Sequence, residues 1–280
     1  MHVRAFSPHL RTLSIYSLLL VFVVFALFPI AWMFSSSLKS LLDAFRIPPS
    51  WIPNPTTFAA YQEAWEAGSF SRQLWNSIVV SVSTTIIACI LAVMAGYGFS
   101  RFRFRGHGFL VRFVLLCQMF PGALLIVPYY MLMARLHWVN TYQSMILAFS
   151  SFALPFSVYM LRGYFDAVPR ELDQAAQVDG CGRVGALLRV VLPVAAPGIA
   201  ATMIFTWLQS WNQFLFALVL ATNQSMYTIP VGIAAQITEY NIPWNRLMAS
   251  AVMGSVPTIV LYAFLQRFLV QGLSAGAVKG

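Results

Sequence analysis

Six long apolar segments constrain the fold of this chain more than any other feature. Each has roughly the 20 residues that a helix needs to cross about 30 Å of hydrocarbon at about 1.5 Å per residue. A helix pairs its backbone groups internally, whereas an open sheet leaves unpaired edges in lipid. The segments therefore predict an all-α integral membrane protein with six transmembrane helices: Leu13 to Phe34, Ile78 to Phe99, Phe113 to Ala134, Tyr142 to Leu161, Pro197 to Ala221 and Leu247 to Leu269.

Composition favours the same class of protein. Hydrophobic residues form 59% of the 280 residues and charged residues only 9%, whereas soluble domains have about 45–50% and about 25%. A water-soluble globule of this composition would aggregate. The first apolar segment is too long for a signal peptide and has no small-x-small cleavage site, so it is predicted to be a retained membrane anchor.

The distribution of basic residues predicts the orientation. With the N-terminus in the cytoplasm, the external side holds only Lys39, Arg46, Arg72, Arg135 and Arg246 of the 17 basic residues. This bias follows the positive-inside rule, and an even number of spans places the C-terminus in the cytoplasm as well. The net charge of +9 is accordingly interpreted as topology and attraction to anionic lipid, and no nucleic-acid partner is expected.

The chain has no recognisable energy source of its own. All eight carboxylates fall in predicted loops, whereas ion-coupled transporters usually place ionisable groups at membrane depth. A Walker A motif needs Gly-Lys-Ser/Thr, and neither Lys39 nor Lys279 has that context. Cys89, Cys117 and Cys181 are unclustered, which predicts no metal site and no disulfide framework. We therefore expect a transport subunit that is not an enzyme, binds no cofactor and is energised by another subunit.

A short helix is predicted in the loop between the fourth and fifth segments. Pro169 suits a helix start, Glu171 and Asp173 favour its N-terminal dipole, and Gly180 suits its end. The apolar face of this helix is predicted to be formed by Leu172, Ala175 and Ala176. A second short helix is predicted from about Gly182 to Val191. The alternative interpretation is an amphipathic helix lying on the bilayer surface.

This loop resembles the EAA loop of binding-protein-dependent ABC importers, which has a Glu-Ala-Ala triplet, a glycine and then Leu-Pro. Gln174-Ala175-Ala176 corresponds to the triplet, Asp179-Gly180 to the glycine step and Leu192-Pro193 to the end. Gln174 replaces the usual glutamate, so any salt bridge of that glutamate is lost. The resemblance implies a type I ABC importer permease fold and a coupling helix that docks on an ATPase subunit. The coupling residues it implies are Leu172, Gln174, Ala175, Ala176, Asp179 and Gly180.

The C-terminal sequence from Gln266 to Gly280 is similar to the tail of MalG-like carbohydrate permeases. The family's tail enters the interface of its ATPase subunits, which implicates Ser274, Gly276 and Lys279. Its glycine and alanine content predicts no stable helix in isolation. The implied organisation is an anchor helix and external loop over 1–73, a transmembrane core over 74–270 with the coupling loop at 162–193, and a cytoplasmic tail over 271–280.

The resemblance also implies the setting of the protein. It implies a subunit of the bacterial cytoplasmic membrane that imports a carbohydrate, such as the disaccharides trehalose or maltose. The implied partners are a second permease in a heterodimer, two ATPase subunits that bind ATP and Mg, an extracytoplasmic solute-binding protein and membrane lipid. The alternative functions are an ion-coupled secondary transporter and a noncatalytic membrane scaffold.

The fifth segment carries an unusual polar stripe. At 100° per residue, one face holds Thr202, Thr206, Gln209, Ser210 and Gln213. One interpretation is a translocation path, in which hydroxyls and amides exchange hydrogen bonds with sugar hydroxyls and Trp207 or Trp211 stacks on sugar rings. The other is interhelical hydrogen bonding, which contributes about 0.6 kcal/mol per contact.

Two further features complete the sequence-based expectations. The Trp-Asn-x-Phe pattern of Trp211, Asn212 and Phe214 recurs in carbohydrate permeases and adds Asn212 to the expected path. The external loop from Thr222 to Arg246 faces or enters the binding protein by resemblance, and the alternative is a loop folded on its own helices. The first external loop, Leu38 to Trp75, is rich in proline and aromatic residues and is expected to be structured.

Overall fold

A computed structural model of the protein describes residues 8–66, 69–238 and 242–277, and the side chains of those between 12 and 267. Every regular element in these ranges is helical. The α-helices are α1 (Pro8–Ser37), α2 (Leu41–Ala44), α3 (Ala59–Glu66), α4 (Phe70–Arg101), α5 (His107–Met119), α6 (Ile126–Arg135), α7 (Tyr142–Ala167), α8 (Arg170–Val178), α9 (Arg183–Ala186), α10 (Leu192–Val194), α11 (Ala196–Trp211), α12 (Leu215–Leu220), α13 (Ile229–Ala234) and α14 (Trp244–Ala277). Gly122–Leu125 and Gln224–Met226 are 3₁₀ turns, and Leu187–Val191 is a π-helical turn.

Four single helices are long and apolar enough to cross a membrane, namely those spanning Thr12–Ser37, Phe70–Arg101, Tyr142–Ala167 and Trp244–Arg267. Two bent pairs raise the number to six if each pair counts as one span. In the first pair, α5 meets Gly122–Arg135 at 91°, and in the second, Arg183–Val194 meets α11 at 80°. Four of the six predicted segments therefore correspond to continuous helices. The third lies within the first bent pair, and the fifth begins in α11 of the second pair and continues into α12.

The continuous third and fifth helices expected from hydropathy are corrected by the structure. The third breaks at Phe120 and Pro121, which both have extended backbone. Proline has no N–H for the helix ladder, and it disfavours helical backbone in the residue before it. The fifth stops at Trp211, and α12 begins after a three-residue interruption.

The chain divides into two compact units, one from Met1–Phe70 with Ala235–Met253 and one from Ser71–Ala234 with Gly254–Gly280. In the first unit, the proline-rich segment folds against the end of α1. Trp51 packs on Phe28 and Trp32. The Lys39 ammonium donates to the Ser50 carbonyl at 2.6 Å and lies 4.4 Å from the Trp32 ring. The expectation of a structured external loop agrees with these contacts.

The second unit has two apolar clusters. One is centred on Met133, Met145 and Phe149, and the other on Leu161, Phe165 and Val191. Helix α7 contributes to both clusters and packs closely against α11, where Gly198 leaves room for the Tyr164 ring. This packing fixes the position of α11, which carries the polar stripe.

Candidate functional site

A polar cavity lies at the end of α11. Its volume is about 390 Å³, and its lining includes Gln209, Ser210, Asn212 and Gln213. The rest of the lining is apolar and is formed by Gly122, Ala123, Phe149, Phe152, Leu215 and Phe216. The lining therefore combines three side-chain amides and a serine hydroxyl with aromatic rings, which is the mixed lining of a site that binds a polar organic molecule.

The end of α11 itself creates this arrangement. Asn212 donates from its backbone N–H to the Leu208 carbonyl at 3.1 Å, and its side-chain amide donates to the same carbonyl at 2.9 Å. These bonds close the last turn of the helix, so the helix ends beside the cavity. The Ser210 hydroxyl is buried and has no hydrogen-bond partner among the described residues. A polar group in that condition favours a bound partner or water.

The structure divides the predicted polar stripe into two parts. Gln209, Ser210 and Gln213 line the cavity, together with Asn212. Thr202 and Thr206 are fully buried and do not line it. The Thr206 hydroxyl lies 2.9 Å from that of Ser157 on α7, and Thr202 bonds the Gly198 carbonyl at 2.8 Å. The contact of Thr206 with Ser157 is the interhelical hydrogen bonding given above as the alternative interpretation. The Thr202 bond stays within α11.

The two tryptophans do not occupy the position expected for sugar stacking. Trp207 and Trp211 are each 6% exposed, and their rings stack on each other at 5.0 Å. Trp207 donates to the Thr258 hydroxyl at 3.3 Å, and Trp211 donates to the Gly254 carbonyl at 3.1 Å. Both indoles therefore pack toward α14. Helical periodicity could not predict the burial of these two indoles, because it does not indicate where a neighbouring helix covers a side chain.

A second cavity of about 600 Å³ adjoins the break between α5 and α6. Gln118, Phe120, Tyr129 and Ser151 contribute to its lining. Phe152 and Gln209 border both cavities, so Gln209 lies where the two meet. This contribution of the third segment was not predicted from the sequence, although Pro121-Gly122 is a local signal for a break.

The loop helix α8 begins after Pro169 and ends in a Schellman motif. Cys181 donates to the Ala176 carbonyl at 2.9 Å and Gly180 donates to the Gln177 carbonyl at 3.1 Å, while Gly180 has a φ of +86°. The predicted helix and its glycine end are therefore present. The second predicted helix is present as α9, the π-helical turn and α10.

The predicted apolar face of α8 differs in the structure. Ala176 is 5% exposed and Asp173 is 6% exposed, so both face the protein's own core, and Leu172 is half-buried. The exposed coupling candidates are Gln174, Ala175, Asp179 and Gly180. Val178, which the sequence analysis did not select, is 87% exposed on the same helix. The physical reason is that Asp173 bonds to the buried side chains of Tyr97 and Arg101. These bonds turn the Asp173 side of α8 toward the core, and Ala176 is buried on the same side.

The candidate tail residues lie at the end of α14. The helical backbone runs through Ser274 and Gly276 to Ala277, and Lys279 lies outside the described residues. The expectation that these small residues form no stable helix in isolation stays a prediction, because here they are part of a longer helix. They continue an established long helix, so no new nucleation is needed. Among the described residues, no group of histidine, cysteine and carboxylate side chains is arranged to hold a metal ion.

Comparison with known proteins places these features in a family. A family model described as "Binding-protein-dependent transport system inner membrane component" matches residues 85–275. The sulfoquinovosyl glycerol transport system permease protein SmoH of Agrobacterium fabrum is 33% identical over 260 residues, or 93% of this chain and 91% of SmoH. The trehalose transport system permease protein SugB of Mycobacterium tuberculosis is 35% identical over 92% of this chain and 94% of SugB. The trehalose/maltose transport system permease protein MalG of Thermococcus litoralis is 32% identical over 93% of this chain and 94% of MalG.

A solved structure supports the fold. A chain of a bacterial ABC transporter involved in the import of alginate superposes with a TM-score of 0.79 at 22% identity, covering 95% of this chain and 99% of that one. The resemblance inferred from the EAA-like loop and the C-terminal sequence is thus confirmed at the level of the family. The chain belongs to the family of binding-protein-dependent transport system inner membrane components, and it is a multi-pass protein of the inner membrane.

Proposed function

We propose that this chain is one of two permease subunits of an ABC importer that moves a carbohydrate across the cytoplasmic membrane. The observation that carries the proposal is the polar cavity at the end of α11, which is lined by Gln209, Ser210, Asn212 and Gln213 together with Phe149 and Phe152. Amides and hydroxyls both donate and accept hydrogen bonds, as sugar hydroxyls do. Aromatic walls suit the C–H faces of a sugar ring. A path for an ion would instead favour charged or carbonyl groups.

The substrate class is inferred from this lining and from the relatives. The permeases SmoH, SugB and MalG are described as parts of transport systems for sulfoquinovosyl glycerol, trehalose, and trehalose/maltose. All three substrates contain a sugar ring. We propose a disaccharide of the trehalose or maltose kind, because the lining residues in this chain are uncharged and suit a neutral polyhydroxylated molecule.

The energy comes from partner ATPase subunits in this proposal. The chain has no Walker A sequence, whereas α8 presents an exposed surface of Gln174, Ala175, Val178 and Asp179. A branched apolar side chain that is 87% exposed on a short loop helix suits a protein contact. In the complete importer, α8 docks on one ATPase subunit, and ATP and Mg are bound there. In this proposal the tail residues Ser274, Gly276 and Lys279 contact the ATPase subunits.

The proposed external partner is a solute-binding protein that delivers the sugar. The segment Thr222 to Tyr227 is held in place by Asn76, whose amide donates to the Ser225 and Tyr227 carbonyls at 2.9 Å each. The Tyr142 hydroxyl donates to the side-chain amide oxygen of Asn76, Oδ1, at 2.6 Å. Residues Thr222 to Ser225 are exposed, so this anchored turn offers a fixed surface for docking.

Uptake into proteoliposomes tests the proposed function against a secondary transporter and a scaffold. The chain is reconstituted with its partner permease, ATPase subunits and binding protein, and uptake of labelled trehalose and maltose is measured with ATP inside. We expect uptake that persists with a protonophore and stops when the Walker B glutamate of the ATPase is replaced by glutamine. Uptake driven by an ion gradient without ATP, or uptake independent of this chain, would contradict the proposal.

A further inference from the structure

A buried ion pair attaches the loop helix α8 to the end of α4. Arg101 is the last residue of α4, and its Nε donates to an Asp173 carboxylate oxygen at 2.8 Å. The two side chains are only 7% and 8% exposed. Tyr97, one turn earlier on α4, donates its hydroxyl to the other Asp173 oxygen at 2.6 Å. Both oxygens of the carboxylate are therefore bonded to α4.

The Arg101 guanidinium also bonds the end of α7. It donates to the Phe165 carbonyl at 2.8 Å and to the Val168 carbonyl at 3.0 Å. These carbonyls belong to the last turn and the C-cap of α7, where the intrahelical N–H donors run out. The Phe165 carbonyl also accepts from the Val168 N–H at 3.2 Å. A single planar side chain with fixed donor directions therefore joins the ends of α4, α7 and α8.

A third bond joins α8 to α4 beside those of Arg101 and Tyr97 to Asp173. Arg170, the first residue of α8, donates to the Ser100 carbonyl at 2.9 Å. The Tyr97 ring also packs edge-on against Phe165 at 5.9 Å. Among the described residues, Asp173 is the only carboxylate within ion-pair distance of Arg101. Because an unpaired buried charge is costly, the pair favours one docking position of α8 over all others.

We propose that Arg101 is a positioning residue of the transport cycle, which locks α8 to the ends of α4 and α7 so that the three helices move together. The inference rests on the proposed function, in which an ATPase subunit moves the exposed face of α8. With the Arg101 bonds in place, a movement of α8 is transmitted directly to α4 and α7. Without these bonds, the movement of α8 is absorbed by the junction at Val168 and Pro169, where the backbone is extended.

The competing explanation is that the pair only holds the fold together. Two variants separate these roles. Tyr97→Phe removes one hydrogen bond and keeps the ring on Phe165, so it is expected to fold. The triple variant Tyr97→Phe/Arg101→Met/Asp173→Leu replaces the buried polar cluster with apolar groups, a change that is often neutral or stabilising for folding. Asp166→Asn is the matched control, because its contact with Arg162 is a longer, more exposed pair at 3.5 Å.

The measurement is the number of ATP molecules hydrolysed per sugar imported, in proteoliposomes of the complete complex. For the triple variant we expect normal assembly, retained ATP hydrolysis and a ratio raised by about tenfold, a size typical of coupling between two sites. Tyr97→Phe should raise the ratio by a smaller factor, and Asp166→Asn should leave it unchanged. A wild-type ratio in Tyr97→Phe, or in an assembled triple variant, would overturn the inference. Failure of the wild-type complex to import sugar with ATP would instead contradict the proposed function.

Discussion

At the residue scale, the protein depends on a few positions where helices approach closely. Gly198 on α11 is one of them, because a Cβ atom there would overlap the Tyr164 ring on α7. Gly98 on α4 is a matched contrast, because nothing lies within 4 Å of its Cβ position. Comparing alanine substitutions at the two positions therefore separates a packing requirement for glycine from its general effect on helix stability.

We predict that Gly198→Ala lowers the stability of the purified protein by about 1–3 kcal/mol, the usual range for overpacking a core. Gly98→Ala should be neutral or slightly stabilising, because alanine favours a helix by about 1 kcal/mol relative to glycine. Thermal unfolding in detergent measures both. The second-site variant Tyr164→Ala should restore part of the stability that Gly198→Ala loses. Equal melting temperatures for the two alanine variants would contradict this packing account.

Side-chain roles were only partly predictable at this scale. The 100° spacing placed Gln209, Ser210 and Gln213 on one face, and all three line the cavity. The same spacing included Thr206, which bonds Ser157 instead. Periodicity gives the direction of a side chain from its own helix. It does not indicate where a neighbouring helix covers that face and where the face stays open.

At the element scale, the loop helix α8 and its glycine end form the candidate coupling device. Gly180 has a φ of +86°, a conformation that glycine adopts freely, asparagine tolerates and β-branched residues rarely adopt. The Cβ position at Gly180 is otherwise open, since nothing lies within 4 Å of it. Any effect of a substitution there therefore comes from the backbone.

We predict that Gly180→Val abolishes the stimulation of ATP hydrolysis by the loaded binding protein, because valine disrupts the turn that fixes the exposed end of α8. Gly180→Asn should keep most of the stimulation, because asparagine accepts this backbone conformation. The measurement is ATPase activity of the reconstituted complex with and without binding protein and sugar. Equal stimulation in the valine and asparagine variants would show that the turn does not take part in coupling.

Hydropathy predicted the positions of the membrane segments better than their shapes. All six apolar segments contain helices, but the third is interrupted at Phe120 and Pro121 and the fifth at Asn212. A hydropathy window averages over about 20 residues, so it does not register a local break. The Pro121-Gly122 pair did carry a local signal for the bend. The buried bond between Arg101 and Asp173 had no comparable signal, because it joins residues 72 positions apart.

At the scale of the whole molecule, the chain has several exposed surfaces of the kind that a subunit uses to contact its partners. None of the most apolar window of α1 is buried, so in the membrane its apolar side chains contact lipid or another protein. The exposed residues of α8 and the anchored turn at Thr222 to Ser225 are further surfaces that suit partners. The central claim is that sugar crosses through the polar cavity that Gln209 lines.

Cysteine accessibility at Gln209 tests this claim most directly. In a background in which Cys89, Cys117 and Cys181 are replaced by serine, Gln209→Cys is compared with Leu208→Cys. Leu208 is the matched control, because it is also exposed, at 36%, but lines neither cavity. Both variants are treated with a hydrophilic thiosulfonate reagent in proteoliposomes during ATP-driven transport, and labelling and sugar uptake are measured.

We predict that the reagent modifies the cysteine at 209, that transported sugar slows this modification, and that modified complexes lose sugar uptake. The cysteine at 208 should show no protection by sugar, and its modification should leave uptake unchanged. Full modification at 209 with wild-type uptake of sugar would contradict the assignment of this cavity as the translocation path.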